Sequence, residues 1–534
     1  MTHFSWTVDG SIVGVYLLAT MIAGIMVRKY VGKVEHFLLA GREMDVYLGI
    51  ASLAATEFGV VTCMYTAQNG YTKGFAGATP GILSCVAMFL VGYTGFCIKP
   101  LRDSGVMTIP ELFERKYGAG VRWLAGVVIV LGGLLNMGVF LRIGGEFLVV
   151  ACGFDARYLE ITMTILLVAV AVYTIMGGML SVLVTDFLQF VVMSAGLIVV
   201  TFLILDKVGW STMVDTVQRK YGDGGFNPFV NADMGWKYVL FNLLLNTAAV
   251  LTWQTSIARV LSAKDTETGR KVYTRTAFFF VCRFLIPGIW GIAALSMLTP
   301  ELLSTLSPAM QKNASLYAMP LFLGQAVPVG LMGLLIAAML AADMSTDSSY
   351  MITWGGVIYN DIMAPFRKTR WSEKKGLLWN RAIVAGIGIF LLVYGLWYPL
   401  EGDLWDYLTL TGAIYLSSMS ILLIACCYWK KANNWGAYAG IVFGAVLPTA
   451  YLLLDKTWKF QVLDAAGKAV LNADGTPKMD SYVNWSVGPH LFGILTFLLV
   501  GVAMVAGSLL KPAPEPETPQ SAPDQPGAGQ GERA

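Results

Sequence analysis

Apolar runs of about twenty residues, the length that spans a bilayer as a helix, recur along the whole chain. Short polar segments separate them. The pattern predicts thirteen helices, over 11–27, 45–70, 79–98, 121–152, 158–176, 181–205, 237–257, 276–298, 326–355, 380–398, 404–429, 435–454 and 487–510. The segments are continuous rather than alternating with period two, so a transmembrane barrel is excluded. Gly177-Gly178 reads as a tight turn between two spans. The loop 459–480, with Phe460-Gln-Val-Leu and Asn472-Ala-Asp-Gly-Thr-Pro inside it, reads as a small external hairpin. The segment from Lys511 is rich in Pro, Gly, Glu and Gln and reads as a disordered tail.

Composition agrees. Of 534 residues 56% are hydrophobic and only 13% charged, too few charges to solvate a soluble domain of this length. The chain is expected to be an all-α polytopic membrane protein in a lipid bilayer. The net charge of +3 gives no reason to expect a nucleic-acid partner, and no protein partner is evident. The seven Cys lie in or at the ends of apolar segments and read as small buried hydrophobes. The three His are scattered without zinc-site spacing.

The basic residues orient the spans. Arg28, Lys29, Lys33 and Arg42 follow the first one. Further groups are Lys99 to Arg122, Arg259 to Arg275, Arg367 to Arg381, and Lys430 with Lys431. These groups fall on alternate loops and hold most of the 37 Lys and Arg, so the N-terminus is expected outside and the C-terminus in the cytoplasm. The expected location is the plasma membrane, or the inner membrane of a bacterium.

Polar groups interrupt the apolar pattern at a few places. Residues 334–361 carry Asp343, Ser345, Thr346, Asp347, Ser348 and Ser349 at their middle. Such groups are costly in hydrocarbon and face a cavity or bind something. Hydroxyl and carboxylate oxygens suit a hard cation. In Ser52-Leu-Ala-Ala-Thr-Glu-Phe-Gly-Val-Val-Thr62, Glu57 lies mid-membrane beside Gly59, a pattern that fits a broken helix with free carbonyls. Glu57 either serves the site or is paired with an arginine for packing.

Asp186 lies about two turns into its span and needs compensation there. Arg142 and Glu146, four apart, are expected to pair with each other. Arg283, one turn before Pro287, is either the partner of Glu57 or a contact for an anionic solute group. Asn242 and Asn246, followed by Trp253 and Gln254, either join helices or face the solute. Few helices carry these groups. That favours alternating access around one central site over a pore lined by many helices.

Five further motifs occur in order. They are Lys99-Pro-Leu-Arg with Thr108-Ile-Pro-Glu-Leu-Phe-Glu-Arg-Lys-Tyr-Gly118; Tyr173-Thr with Gly177-Gly and Thr185-Asp-Phe-Leu-Gln189; Arg259-Val-Leu-Ser-Ala-Lys264; Ala341-Ala-Asp-Met-Ser-Thr346; and Tyr428 through Gly440. In these the chain, from about residue 35 to 450, resembles the sodium:solute symporter family. That family includes bacterial proline, galactose and sialic acid symporters and animal sodium/glucose cotransporters.

The resemblance implies a LeuT-type core of two inverted five-helix repeats, at 45–205 and 237–429. An extra helix and loop (1–44) would precede the core, and an external loop (206–236) would join the repeats. Two further helices (430–510) and the tail (511–534) would follow. It also implies a sodium site on the carbonyls of Ala55, Phe58 and Ala342 and the hydroxyls of Ser345 and Thr346. A second sodium, as in the sialic acid symporters, would use Asp186, Ser345, Ser348 and Ser349.

Asn246 and Thr409 match positions that face solute in the sugar members. Thr62 stands where the galactose symporter has a sugar-binding glutamine, and Ala249 where it has a gating tyrosine, which argues against a hexose. Glu57 replaces an aspartate or asparagine of relatives, and Arg283 lies near a solute-contacting lysine. Glu57, Thr62, Asn246, Gln254, Arg283 and Thr409 are therefore the expected solute-binding residues.

The expected function is sodium-coupled import of a small polar organic solute, such as an amino acid, a carboxylate or a related metabolite. Proton coupling through Glu57 and Asp186 is the alternative, though it gives Ser345 and Thr346 no role. A solute sensor would append a signalling domain, and the segment after Lys511 is short. An integral membrane enzyme would need a catalytic or metal cluster, and none is visible in the sequence.

Overall fold

The computed structural model describes residues 4–363, 366, 371–398, 403–463, 468–470, 477 and 479–512. The expected basic residues Arg367, Lys368 and Arg370, the hairpin tip around Asn472 and the tail from residue 513 lie outside them.

The longer helices are α1 (Asp9–Val27), α2 (Val46–Thr56), α3 (Val60–Lys73), α4 (Thr79–Thr94), α5 (Ile109–Tyr117), α6 (Ala119–Met137) and α7 (Phe140–Cys152). They continue with α8 (Leu159–Val208), α9 (Trp210–Tyr221), α10 (Gly235–Thr252), α11 (Gln254–Ser262), α12 (Thr266–Met297) and α13 (Ala314–Ala326). The last are α14 (Leu331–Val357), α15 (Glu373–Trp397), α16 (Leu404–Tyr428), α17 (Asn434–Thr457) and α18 (Pro489–Leu510). Among the described residues, ten helical stretches are long and apolar enough to cross a membrane. A two-stranded antiparallel ribbon pairs Lys459–Gln461 with Met479–Ser481, with Phe460 opposite Asp480, at the ends of the expected hairpin.

Three predicted helices are broken. The run 45–70 divides at Glu57-Phe58-Gly59 into α2 and α3. Gly59 sits where a Cβ would come within 2.7 Å of Thr346 Oγ1, so a glycine is what lets the break meet α14. The run 237–257 divides at Trp253, which is extended (φ −64°, ψ 117°), and helix resumes to Ser262. Nothing in that sequence announces a break, because it holds neither Gly nor Pro. The run 121–152 bends at Gly138 and Val139.

Helix α8 counts 50 residues, which as one straight rod would reach about 75 Å, more than twice the hydrocarbon core. Its one non-helical residue is Gly178 (φ 54°, ψ −150°), a conformation suited to glycine. The chain reverses there. Tyr173 before the kink donates to Met344 O at 2.9 Å, and Asp186 after it accepts from Ser345 Oγ at 2.6 Å, so both halves reach one stretch of α14.

Helix α13 stands where an external loop was expected. It has 13 residues with Pro320 inside, too short for a span, and is largely buried. Tyr317 on it donates to Glu146 at 2.6 Å. Helix α12 begins ten residues before the expected 276, because Asp265 caps it through the Thr268 N–H at 2.7 Å. Those hydrogen bonds, first the Thr268 backbone N–H, hold the Asp265 carboxyl below its usual range. The N-terminus of α14 is capped from far along the chain. Buried Asp9 accepts from Gly330 N (2.8 Å) and Gly333 N (2.7 Å), which ties α1 to α14.

Candidate solute cavity and cation site

The breaks in α2–α3 and α10–α11 meet at a cavity in which the centres of water molecules could occupy about 110 Å³. Two interrupted helices facing one cavity is the arrangement that transporters use to present backbone groups to a solute and an ion. Glu57, Thr62, Asn246, Arg283 and Thr409, all expected from sequence, line it. Gln254 does not. Its amide donates to Thr252 O at 3.2 Å, and the side chain borders a different, smaller cavity with Thr353 and Met107. Ser84, Asn136 and Ser256 add polar lining, and Tyr65, Phe140, Trp253, Tyr350 and Trp405 add rings.

Glu57 and Arg283 form the central charged pair, 8% and 9% exposed. Arg283 Nη1 donates to Glu57 Oε2 (3.1 Å) and to Glu57 O (2.8 Å), the latter freed by the helix break. Glu57 Oε1 accepts from Thr255 Oγ1 and Ser256 Oγ, each at 2.9 Å. Both hydroxyls follow the Trp253 break, so the glutamate ties the two interruptions together. The guanidinium lies over the Phe280 ring at 4.5 Å. Arg283 Nε is buried with no hydrogen-bond partner among the described residues. The Tyr65 hydroxyl also reaches the guanidinium.

The two asparagines divide the roles foreseen for them. Asn246 lines the cavity and accepts from Ser84 Oγ at 2.6 Å, whereas Asn242 accepts from Trp405 Nε1 at 3.2 Å and joins α10 to α16. Trp405 also packs on Tyr65, with ring centroids 4.9 Å apart.

Beside the α2–α3 break, Thr346 Oγ1 lies 2.9 Å from both Ala342 O and Thr56 O. Ala55 O, at the end of α2, receives a long 3.4 Å contact from Phe58 N. The break and the hydroxyls of α14 therefore come face to face, with carbonyl lone pairs left over by the helix ends. These are neutral oxygens of the kind a hard monovalent cation takes.

Asp186, Ser345 and Ser349 also come together, linked by a residue the sequence did not single out for a site, while the Ser348 hydroxyl donates to Ser345 O. Arg259 was read as a charge in a cytoplasmic loop. It lies instead in α11, 0% exposed. Arg259 Nη2 is 3.0 Å from Asp186 Oδ2 and 2.6 Å from both Ser349 Oγ and Thr56 Oγ1. Its Nε is 3.1 Å from Ser52 Oγ. The polar run Gln254-Thr255-Ser256 after Trp253 was the one available signal that the membrane-embedded part continues past 257.

Arg142 and Glu146 pair at 2.9 Å, one turn apart on α7. Asp343 and Asp347 lie on another face of α14, buried, with Asp343 Oδ2 and Asp347 Oδ1 lacking partners among the described residues.

Comparison with known proteins gives the family. Residues 37–444 match the sodium:solute symporter family. The chain belongs to that family. It is 26% identical over 481 residues to sodium/glucose cotransporter 4 of Danio rerio, covering 84% of this chain and 72% of the relative. It is 25% identical over 551 residues to sodium/glucose cotransporter 1 of Mus musculus, covering 95% and 79%. Among solved structures, a Na+-coupled sialic acid symporter in a substrate-bound, outward-open state superposes with TM-score 0.76 at 18% identity, covering 96% of this chain and 99% of that one. The fold is the LeuT-type transporter fold, and the protein is a multi-pass, sodium-coupled symporter rather than an enzyme.

Proposed function

We propose that the protein imports a small carboxylate-bearing solute, such as an amino acid or a hydroxy acid, together with sodium. The observation that carries this reading is a buried arginine, Arg283, in the cavity wall with its Nε lacking a hydrogen-bond partner among the described residues. Two parallel N–H groups in a plane match the two oxygens of a carboxylate. Glu57 keeps acceptor capacity on Oε2 for an amine or hydroxyl of the same solute, and Asn246, Ser84 and Thr409 supply neutral hydrogen bonds around it.

The coupling sodium is assigned to the carbonyls of Ala55, Phe58 and Ala342 and the hydroxyls of Ser345 and Thr346. It sits against the break that also shapes the solute cavity, so filling one site stiffens the wall of the other. Proton coupling through Glu57 and Asp186 is disfavoured because each carboxylate is ion-paired with an arginine. The two repeats (45–205 and 237–429) would rock around the cavity, with the N-terminus outside and the C-terminus inside.

The test is uptake of radiolabelled amino acids, carboxylates and sugars into proteoliposomes under an inward sodium gradient. Transport of a carboxylate, competed by other carboxylates and not by neutral sugars, is expected. Sodium-driven uptake of a neutral sugar that carboxylates do not compete would refute the assignment to Arg283.

A further inference from the structure

The cluster around Asp186 holds its own cation. We infer that the Arg259 guanidinium takes the place of a second sodium, so that one sodium, not two, binds per chain. The inference rests on the sodium-coupled reading above.

The Asp186 carboxylate and the Ser349 hydroxyl, which would anchor a second sodium, are already engaged. Asp186 Oδ1 accepts from Ser345 Oγ at 2.6 Å. Asp186 Oδ2 accepts from Ser52 Oγ at 2.5 Å and from Arg259 Nη2 at 3.0 Å. Ser349 Oγ accepts from Arg259 Nη2 at 2.6 Å and is 2.9 Å from Thr56 Oγ1. Ser348 Oγ donates to Ser345 O at 3.2 Å.

Arg259 Nη2 thus stands among Asp186, Ser349 and Thr56, at the centre of three different helices, as a bound ion would. A guanidinium stays protonated in proteins. Asp186 and Arg259 are both 0% exposed, so the pair is charge-balanced without an added ion. A sodium placed on Asp186 would lie next to a permanent positive charge in a dry site, where like charges repel most. It would also have to strip the carboxylate of its donors.

The first site differs on both counts. Among the described residues no basic side chain hydrogen-bonds to Ser345 or Thr346, and its oxygens are neutral carbonyls and hydroxyls. Ser345 links the two. Its hydroxyl proton points to Asp186, which leaves its lone pairs for sodium. Arg259 is therefore a positioning residue for the sodium site.

The experiment is equilibrium binding of radiolabelled sodium alone to the purified full chain. One ion per chain with a Hill coefficient near one is expected. Two ions per chain would overturn the inference and leave sodium coupling intact. No sodium binding at all would overturn the reading beneath it. Arg259→Met, where it folds, should expose Asp186 and raise the count to two. A folded Arg259→Met protein that still binds one would show that the guanidinium does not exclude the second ion. The wild-type count decides the stoichiometry without that variant.

Discussion

Removing the Arg283 charge separates a solute contact from a structural ion pair. Arg283→Gln deletes the unpartnered Nε–H and also the donor to Glu57 Oε2 and Glu57 O. Two charge-assisted hydrogen bonds to a carboxylate contribute at least about 3 kcal/mol together, a factor of about 10² in the solute concentration for half-maximal uptake. Breaking a buried pair by removing one partner costs about 3–5 kcal/mol of stability. Here the cost falls toward the lower end, because Glu57 Oε1 keeps Thr255 and Ser256 and the pair borders a cavity.

The double variant Glu57→Gln/Arg283→Gln carries neither charge. It should regain most of the stability lost in the single variant, while half-saturation for the carboxylate stays raised about 10²-fold. The assays are thermal unfolding of the purified protein and initial uptake rates in proteoliposomes. If the double variant recovers wild-type half-saturation, Arg283 only neutralises Glu57, and the solute reading is wrong.

Four other substitutions follow from the structure. Ser345→Ala and Thr346→Ala should each raise the sodium concentration for half-maximal uptake by about tenfold, the order of one lost hydrogen-bonding oxygen, with insertion unchanged, as sodium titrations of uptake would show. Gly59→Ala places a methyl 2.7 Å from Thr346 Oγ1 and should raise that concentration further while lowering the melting temperature, at a cost of about 1–3 kcal/mol. Asp9→Ala removes the cap on Gly330 N and Gly333 N and should cost about 0.5–2 kcal/mol in thermal unfolding with little effect on the sodium titration.

The sequence revealed what composition and glycine reveal. Gly59 beside Thr56 and Glu57 marked the first break, Gly177-Gly178 marked the reversal of α8, and the spacing of Arg142 and Glu146 gave their pairing. The second break was hidden because tertiary contacts hold it. Trp253 donates through Nε1 to Tyr350 Oη at 3.1 Å and stacks on Tyr415, and neither contact has a local signature. Hiding that break hid Arg259 too, since a charge just past a predicted helix end reads as a loop residue. Helix α13 escaped because its length falls below a span and it holds a proline. Gln254 was assigned by its nearness in sequence to Trp253, but the break turns it away from the cavity.

The central claim is that sodium drives the solute inward. Its most direct measurement is uptake into proteoliposomes of the carboxylate identified by the panel, with an inward sodium gradient or with choline in its place. One sodium moving down a tenfold gradient and 100 mV supplies about 3.7 kcal/mol, enough to concentrate a zwitterionic solute about 500-fold. For a zwitterionic solute the account predicts accumulation up to that ceiling in sodium, with inward positive current, and only equilibration at best in choline; a monoanionic carboxylate would move with sodium electroneutrally, up to the tenfold sodium ratio. Accumulation in choline equal to that in sodium would contradict it.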